Sequence, residues 1–168
     1  MKQSGVTMIE MILFLAIFAI LTVFMINSVF AMISAYGHSK NISRITLDGT
    51  VALERIIREI RLADSIDTGV SVLGVDPSHL VLNTTVSGID ETPIAREFYI
   101  SDDRVALEED GIIDFLNSDK VTVTRFIATR IDSGRSEAVR VELDLEIQDG
   151  NETYSQSFFN SAILRGSY

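Results

Sequence analysis

The hydrophobic pattern changes character twice along the chain. From Val6 to Tyr36, 25 of 31 residues are apolar, Met11 to Ile26 is interrupted only by Thr22, and no Asp, Glu, Lys or Arg occurs between Glu10 and Lys40. About 20 apolar residues rising 1.5 Å each suffice to cross a bilayer as a helix, so this run predicts a transmembrane helix over residues 6–36. Past a weak break at Tyr36-Gly37-His38-Ser39, apolar residues recur at Ile42, Ile45, Ala52, Leu53, Ile56, Ile57, Ile60 and Ala63. That spacing predicts an amphipathic helix over about residues 40–64. Glu54 with Arg58 and Arg55 with Glu59 stand at i,i+4 and support an exposed face. The two helical segments are expected to be continuous, with Gly37 and Gly49 as points of local weakness, and the polar stretch Asp64 to Gly69 stops them.

From Val70 the period becomes two. It is clearest over Val139–Ile147, where odd positions are apolar and even positions charged, the signature of a half-buried antiparallel strand. Further strands are expected over 70–75, 79–86, 96–100, 104–107, 121–130 and 153–164. Turn signals stand at Asp76-Pro77, Gly88, Asp102-Asp103, Asp132-Ser133-Gly134 and Asp149-Gly150-Asn151. The last three strands read as a meander, and Arg125-Phe126-Ile127 breaks the alternation as a bulge would. An apolar sheet face needs a cover, and the amphipathic helix offers one. The expected fold class is therefore α+β: a long N-terminal helix, half membrane and half amphipathic, packed on an antiparallel sheet over about residues 70–165.

Composition sharpens this division. The 168 residues are 46% apolar yet carry 24 acidic against 14 basic side chains, a net charge of −10. Nearly all of that charge belongs to the segment 37–168, which suits an exposed head and argues against direct nucleic-acid binding, where Lys and Arg must neutralise phosphates. The chain has no cysteine, which removes disulfides, thiol nucleophiles and thiolate metal sites. His38 and His79 are isolated in sequence, and no nucleophile–base set, carboxylate pair or phosphate loop is recognisable, so no catalytic, cofactor or metal residues are expected. Asp102, Asp103, Glu108, Glu109 and Asp110 offer oxygen atoms of the kind calcium takes, but not at EF-hand spacing; a solvated acidic face is the plainer reading. Asn41, Asn83 and Asn151 begin glycosylation tripeptides in form only.

The N-terminus carries the most specific pattern. Met1 to Gly5 form a short polar leader with one charge, Lys2, followed by Val6-Thr7-Met8-Ile9-Glu10 and then the apolar run. A secretory signal would instead place small residues after a core of 7–15 residues; the one such site here is after Ala31. Glycine, then an apolar residue, threonine, two apolar residues and glutamate in this register resembles the type IV prepilin family, in particular minor pilins and pseudopilins with their class III signal peptide. Val6 stands where the family most often has Phe, and Asn27 where many members have Pro.

The resemblance implies an organisation of leader (1–5), transmembrane or filament-core helix (6–36) and extracytoplasmic pilin-like head (37–168). It implies cleavage by prepilin peptidase after Gly5, N-methylation of Val6 as the new terminus, and an assembly role for Glu10. A carboxylate at membrane depth costs about 2.5–3.5 kcal/mol on insertion scales and calls for a partner; the Val6 amine, of the same or a neighbouring subunit, is the available one. The expected function is thus a structural, non-enzymatic subunit of a type IV pilus, competence or type II secretion-like filament. Its partners would be the peptidase, other pilin or pseudopilin subunits and membrane lipid. It would sit as a single pass in the cytoplasmic membrane, N-terminus inside and head outside, before joining a surface or periplasmic filament. The alternative is a single-pass anchored ligand-binding or sensor protein with an external β-rich domain.

Overall fold

The computed structural model describes residues 7–85, 93–134 and 136–167. The chain divides into two units, Met1–Lys40 and Asn41–Tyr168. The first helix, α1, runs Met8–Leu62. Within the first unit every large apolar side chain from Met8 to Tyr36 is at least half exposed. The most apolar 18-residue stretch of α1 has a mean hydropathy of 2.8 and none of it is buried. An uncovered helix of this composition is long and apolar enough to cross a membrane, because lipid can take the place of a protein core.

In the second unit the amphipathic half of α1 finds its cover. Ile45, Ala52, Leu53, Ile56, Ile57 and Ile60 are buried, each Ile or Leu side chain contributing about 1.5–3 kcal/mol relative to exposure. They join one core with strands of two antiparallel sheets rather than one. The first sheet orders β1 (Ser65–Ile66), β2 (Leu80–Thr85), β3 (Pro93–Ser101), β4 (Arg104–Glu109) and β5 (Ile112–Phe115) in sequence. The second is the meander β6 (Thr122–Asp132), β7 (Glu137–Asp149) and β8 (Glu152–Ile163). The alternation of β7 is realised in full: Val139, Val141, Leu143, Leu145 and Ile147 are all buried. The β6–β7 register shifts between Val123 and Arg125, one residue before the expected bulge. The fold is α+β, a long N-terminal helix packed on antiparallel sheets.

Turn chemistry sets the hairpins. Asp102 and Asp103 (φ 51° and 56°) are the two central residues between the paired Ser101 and Arg104, and Asp110-Gly111 (φ 52° and 78°) does the same between Glu109 and Ile112. Positive φ at both positions is the two-residue hairpin geometry that Asp and Gly tolerate. Buried Asn117 joins the sheets: its Oδ1 accepts from Val105 N at 2.9 Å and its Nδ2 donates to Val121 O at 2.6 Å.

One expected strand is absent. Residues 70–75 form no ladder, only a bridge of Val72 with His79. This segment instead lies along the edge of β6. Gly74 N and Ser78 N donate to Ala128 O and Phe126 O, each at 2.8 Å, while the Asp76 carboxylate and Ser78 hydroxyl accept from Phe126 N and Ala128 N. With side chains supplying two of the four acceptors, the segment closes the edge without adopting strand alternation.

Candidate functional site

Of the residues singled out at the N-terminus, Gly5 and Val6 lie outside the described residues. Glu10 lies in the first turn of α1, its N–H bonded to Thr7 O at 3.1 Å and its side chain exposed. A carboxylate in the first turn complements the positive end of the helix dipole. Among the described residues no ion pair involves Glu10. It is the one acidic residue of this unit, on a helix surface otherwise formed by exposed Met, Ile, Leu and Phe. α1 continues through Asn27 and Gly37 without interruption.

Two polar assemblies in the head join residues distant in sequence. The first is centred on a buried acid. Glu59, 2% exposed, pairs with Arg55 at 3.1 Å, with Arg58 at 3.6 Å and with Arg96 of β3. Arg96 also grips Glu109 bidentately, Nε and Nη2 each 3.1 Å from a carboxylate oxygen. Desolvation works to lower the Arg96 pKa, but the bonds to Glu109 and the charge of Glu59 outweigh it and the net direction is upward. The expectation that Arg55 and Glu59 mark an exposed face is therefore corrected for Glu59: it follows Ala52 by seven residues and Ile56 by three, on the buried stripe. That spacing was the signal in the sequence. Its three arginine partners allow the acid to be buried, because a lone carboxylate there would be prohibitively desolvated.

The second assembly is on the outer face of the first sheet. Glu97 and Glu108 oppose one another across β3 and β4. His79 Nε2 lies 2.9 Å from Glu97 Oε2, and Tyr99 OH donates to Glu108 Oε2 at 2.9 Å. The His79 and Tyr99 rings meet edge to face at 5.6 Å. The bond to Glu108 raises the Tyr99 pKa, since the carboxylate accepts from the protonated phenol. Pro77, Ser78 and Ile100 complete a cavity of about 330 Å³. Ser78 is no nucleophile for His79: its hydroxyl donates to Val75 O at 2.6 Å and accepts from Ala128 N at 3.0 Å.

The acids around residues 102–110 are thus spread over separate tasks. Asp102, Asp103 and Asp110 make turns, Glu108 holds Tyr99 and Glu109 holds Arg96. Among the described residues no three His, Asp or Glu side chains converge as metal ligands. Asn41 is buried and donates to Asp149 Oδ2 at 2.7 Å, so it serves packing of α1 on the β7–β8 hairpin. Compared with protein families, curated proteins and solved structures, the chain shows no significant match.

Proposed function

We propose that this chain is a type IV pilin-like subunit, of the minor pilin or pseudopilin kind, that is processed and then assembled into a filament through its N-terminal helix. The observation that carries the reading is the uncovered apolar surface of α1 from Met8 to Tyr36 with Glu10 as its one acid. The leader, with Lys2, stays on the cytoplasmic side; prepilin peptidase cuts after Gly5, and the Val6 amine becomes the counter-ion for Glu10. Helices in lipid gain little from hydrophobicity itself. The charge pair therefore supplies a directional term that apolar packing lacks, fixing the axial offset between neighbouring helices.

The test is intact mass and N-terminal sequencing of the protein recovered from its membrane. A methylated terminus at Val6 is the expected result; an intact Met1 would instead mean an anchor, and a start at Met32 ordinary secretion. The anchored binding-protein reading draws on the cavity at His79 and Tyr99. Glu10 separates the two, because a simple anchor gains nothing from an acid at membrane depth.

A further inference from the structure

A sheet ends in edges, and each edge strand presents every second N–H and C=O without a partner. The second sheet closes one of its edges and leaves the other open. On β6 the edge is taken by the segment around Gly74, Asp76 and Ser78. β8 forms the opposite edge over twelve residues. Because Asp149 and Glu152 flank a two-residue turn, even-numbered residues of β8 bond to β7 and odd-numbered ones point their backbone outward. Ser161 N–H is satisfied by Asn160 Oδ1 at 2.8 Å. For Thr153, Ser155, Ser157 and Phe159 no outward backbone partner exists among the described residues. All four are exposed, and Phe159 and Ile163 present 72% and 47% of their surface.

Long edges are ordinarily blunted by charge, proline or a bulge. Beyond Glu152 at its start, β8 has none of these: Thr153 to Leu164 contains no charged residue and no proline, and the β7–β8 register is unbroken. We propose that β8 is an interaction edge whose occupant is β8 of a second copy of this chain, paired antiparallel so that two three-stranded sheets become one of six strands about a two-fold axis. The strand is complementary to itself: two heads this acidic repel across their charged surfaces, whereas a two-fold axis on β8 sets an uncharged run, with matching outward N–H and C=O groups, against its own copy. In the first sheet the edge strand β5 is only four residues long, carries Asp114 and follows Asp110. The pairing uses the head alone and does not depend on the filament reading.

The absence of cysteine makes a single introduced thiol an unambiguous reporter. In the full chain, in membranes under mild oxidation, Ser157→Cys is expected to give a disulfide-linked homodimer, because a two-fold axis at Ser157, in the middle of β8, brings the two equivalent Cα atoms within the separation a disulfide spans. Ser133→Cys, on the exposed β6–β7 turn, is expected to stay monomeric. Adding Ser155→Pro to the Ser157→Cys chain deletes an outward-facing N–H that the head does not use. It should cut the dimer roughly thirtyfold, the scale of two edge bonds lost, one from each copy, while the thermal melting of the chain is retained. Equal cross-linking at the two cysteine positions would overturn the proposal whatever the proline variant does. So would a mixed disulfide between Ile113→Cys and Ser157→Cys chains in excess of the Ser157→Cys homodimer, which would put β5 on this edge.

Discussion

The ring of Phe158 in β8 lies over Gly49 of α1, in the space a side chain at position 49 would fill. This glycine, a weak point by helix propensity, is the place where helix and second sheet meet closely. Gly49→Ala gains about 1 kcal/mol of helix propensity but forces the partly buried ring out of a packed position, at about 1–3 kcal/mol. Overpacking wins, so thermal or chemical denaturation should show a net loss of about 1 kcal/mol. Phe158→Leu placed in the same chain should restore part of it, and unchanged stability of Gly49→Ala would refute the contact.

Glu59 and Glu54 belong to the same helix and each stands four residues from an arginine, but Glu59 alone of the two is buried, and Arg58 turns to it rather than to Glu54. Glu59→Ala leaves Arg96 inside with only Glu109 and is expected to cost about 3 kcal/mol, the scale for breaking a buried ion pair. Glu54→Ala, on the solvent side, should change stability by less than about 0.5 kcal/mol. Similar losses in denaturant titrations of the two variants would contradict the buried network.

Asp64, just past the end of α1, accepts from Thr85 N at 2.7 Å, and hydrogen bonding to Thr85 lowers its pKa below 3.8. The folded state thus prefers the ionised carboxylate. Its contribution is present above the unfolded value and is lost as pH falls from about 4 through the lowered folded value. Asp64→Asn should flatten stability against pH in that acid window and leave the slope above pH 5 unchanged. An unchanged acid limb would show that Thr85 does not hold the charge.

For assembly, Glu10→Ala should leave cleavage after Gly5 intact and impair incorporation into filaments, measured by comparing processed protein in the membrane with protein in sheared filaments. Glu10→Gln should resemble the alanine variant, since the charge rather than the shape pairs with the amine. Gly5→Asp should leave the leader attached, read by intact mass. Normal incorporation of both Glu10 variants would remove the proposed role.

Much of this was legible from residue order. The apolar run gives a helix because a segment without charge over a bilayer's length has few other stable forms. The Ile45–Ile60 stripe gave a buried helix face, and β7 showed its alternation openly. Asp102-Asp103 marked a turn by composition. The 70–75 segment misled because it is rich in Val, while the pairing with β6 is made by Gly74 and by the Asp76 and Ser78 side chains that follow it. The short strands β1 and β5, of two and four residues, are too brief for any period to register.

What the sequence determined by itself is local: which segments are helical, which face of each is apolar, and that Glu10 stands as the one acid on an apolar helix. Tertiary structure decided everything that depends on partners distant in the chain. It divided the strands into two sheets, buried Glu59 by bringing Arg96 to it across 37 residues, gave Gly49 its role beneath Phe158, and closed β6 while leaving β8 open. The physical reason is that periodicity reports a residue's own preference for water or core. The cost of burying a charge, filling a gap or leaving an edge unpaired is set by whichever group the fold places opposite.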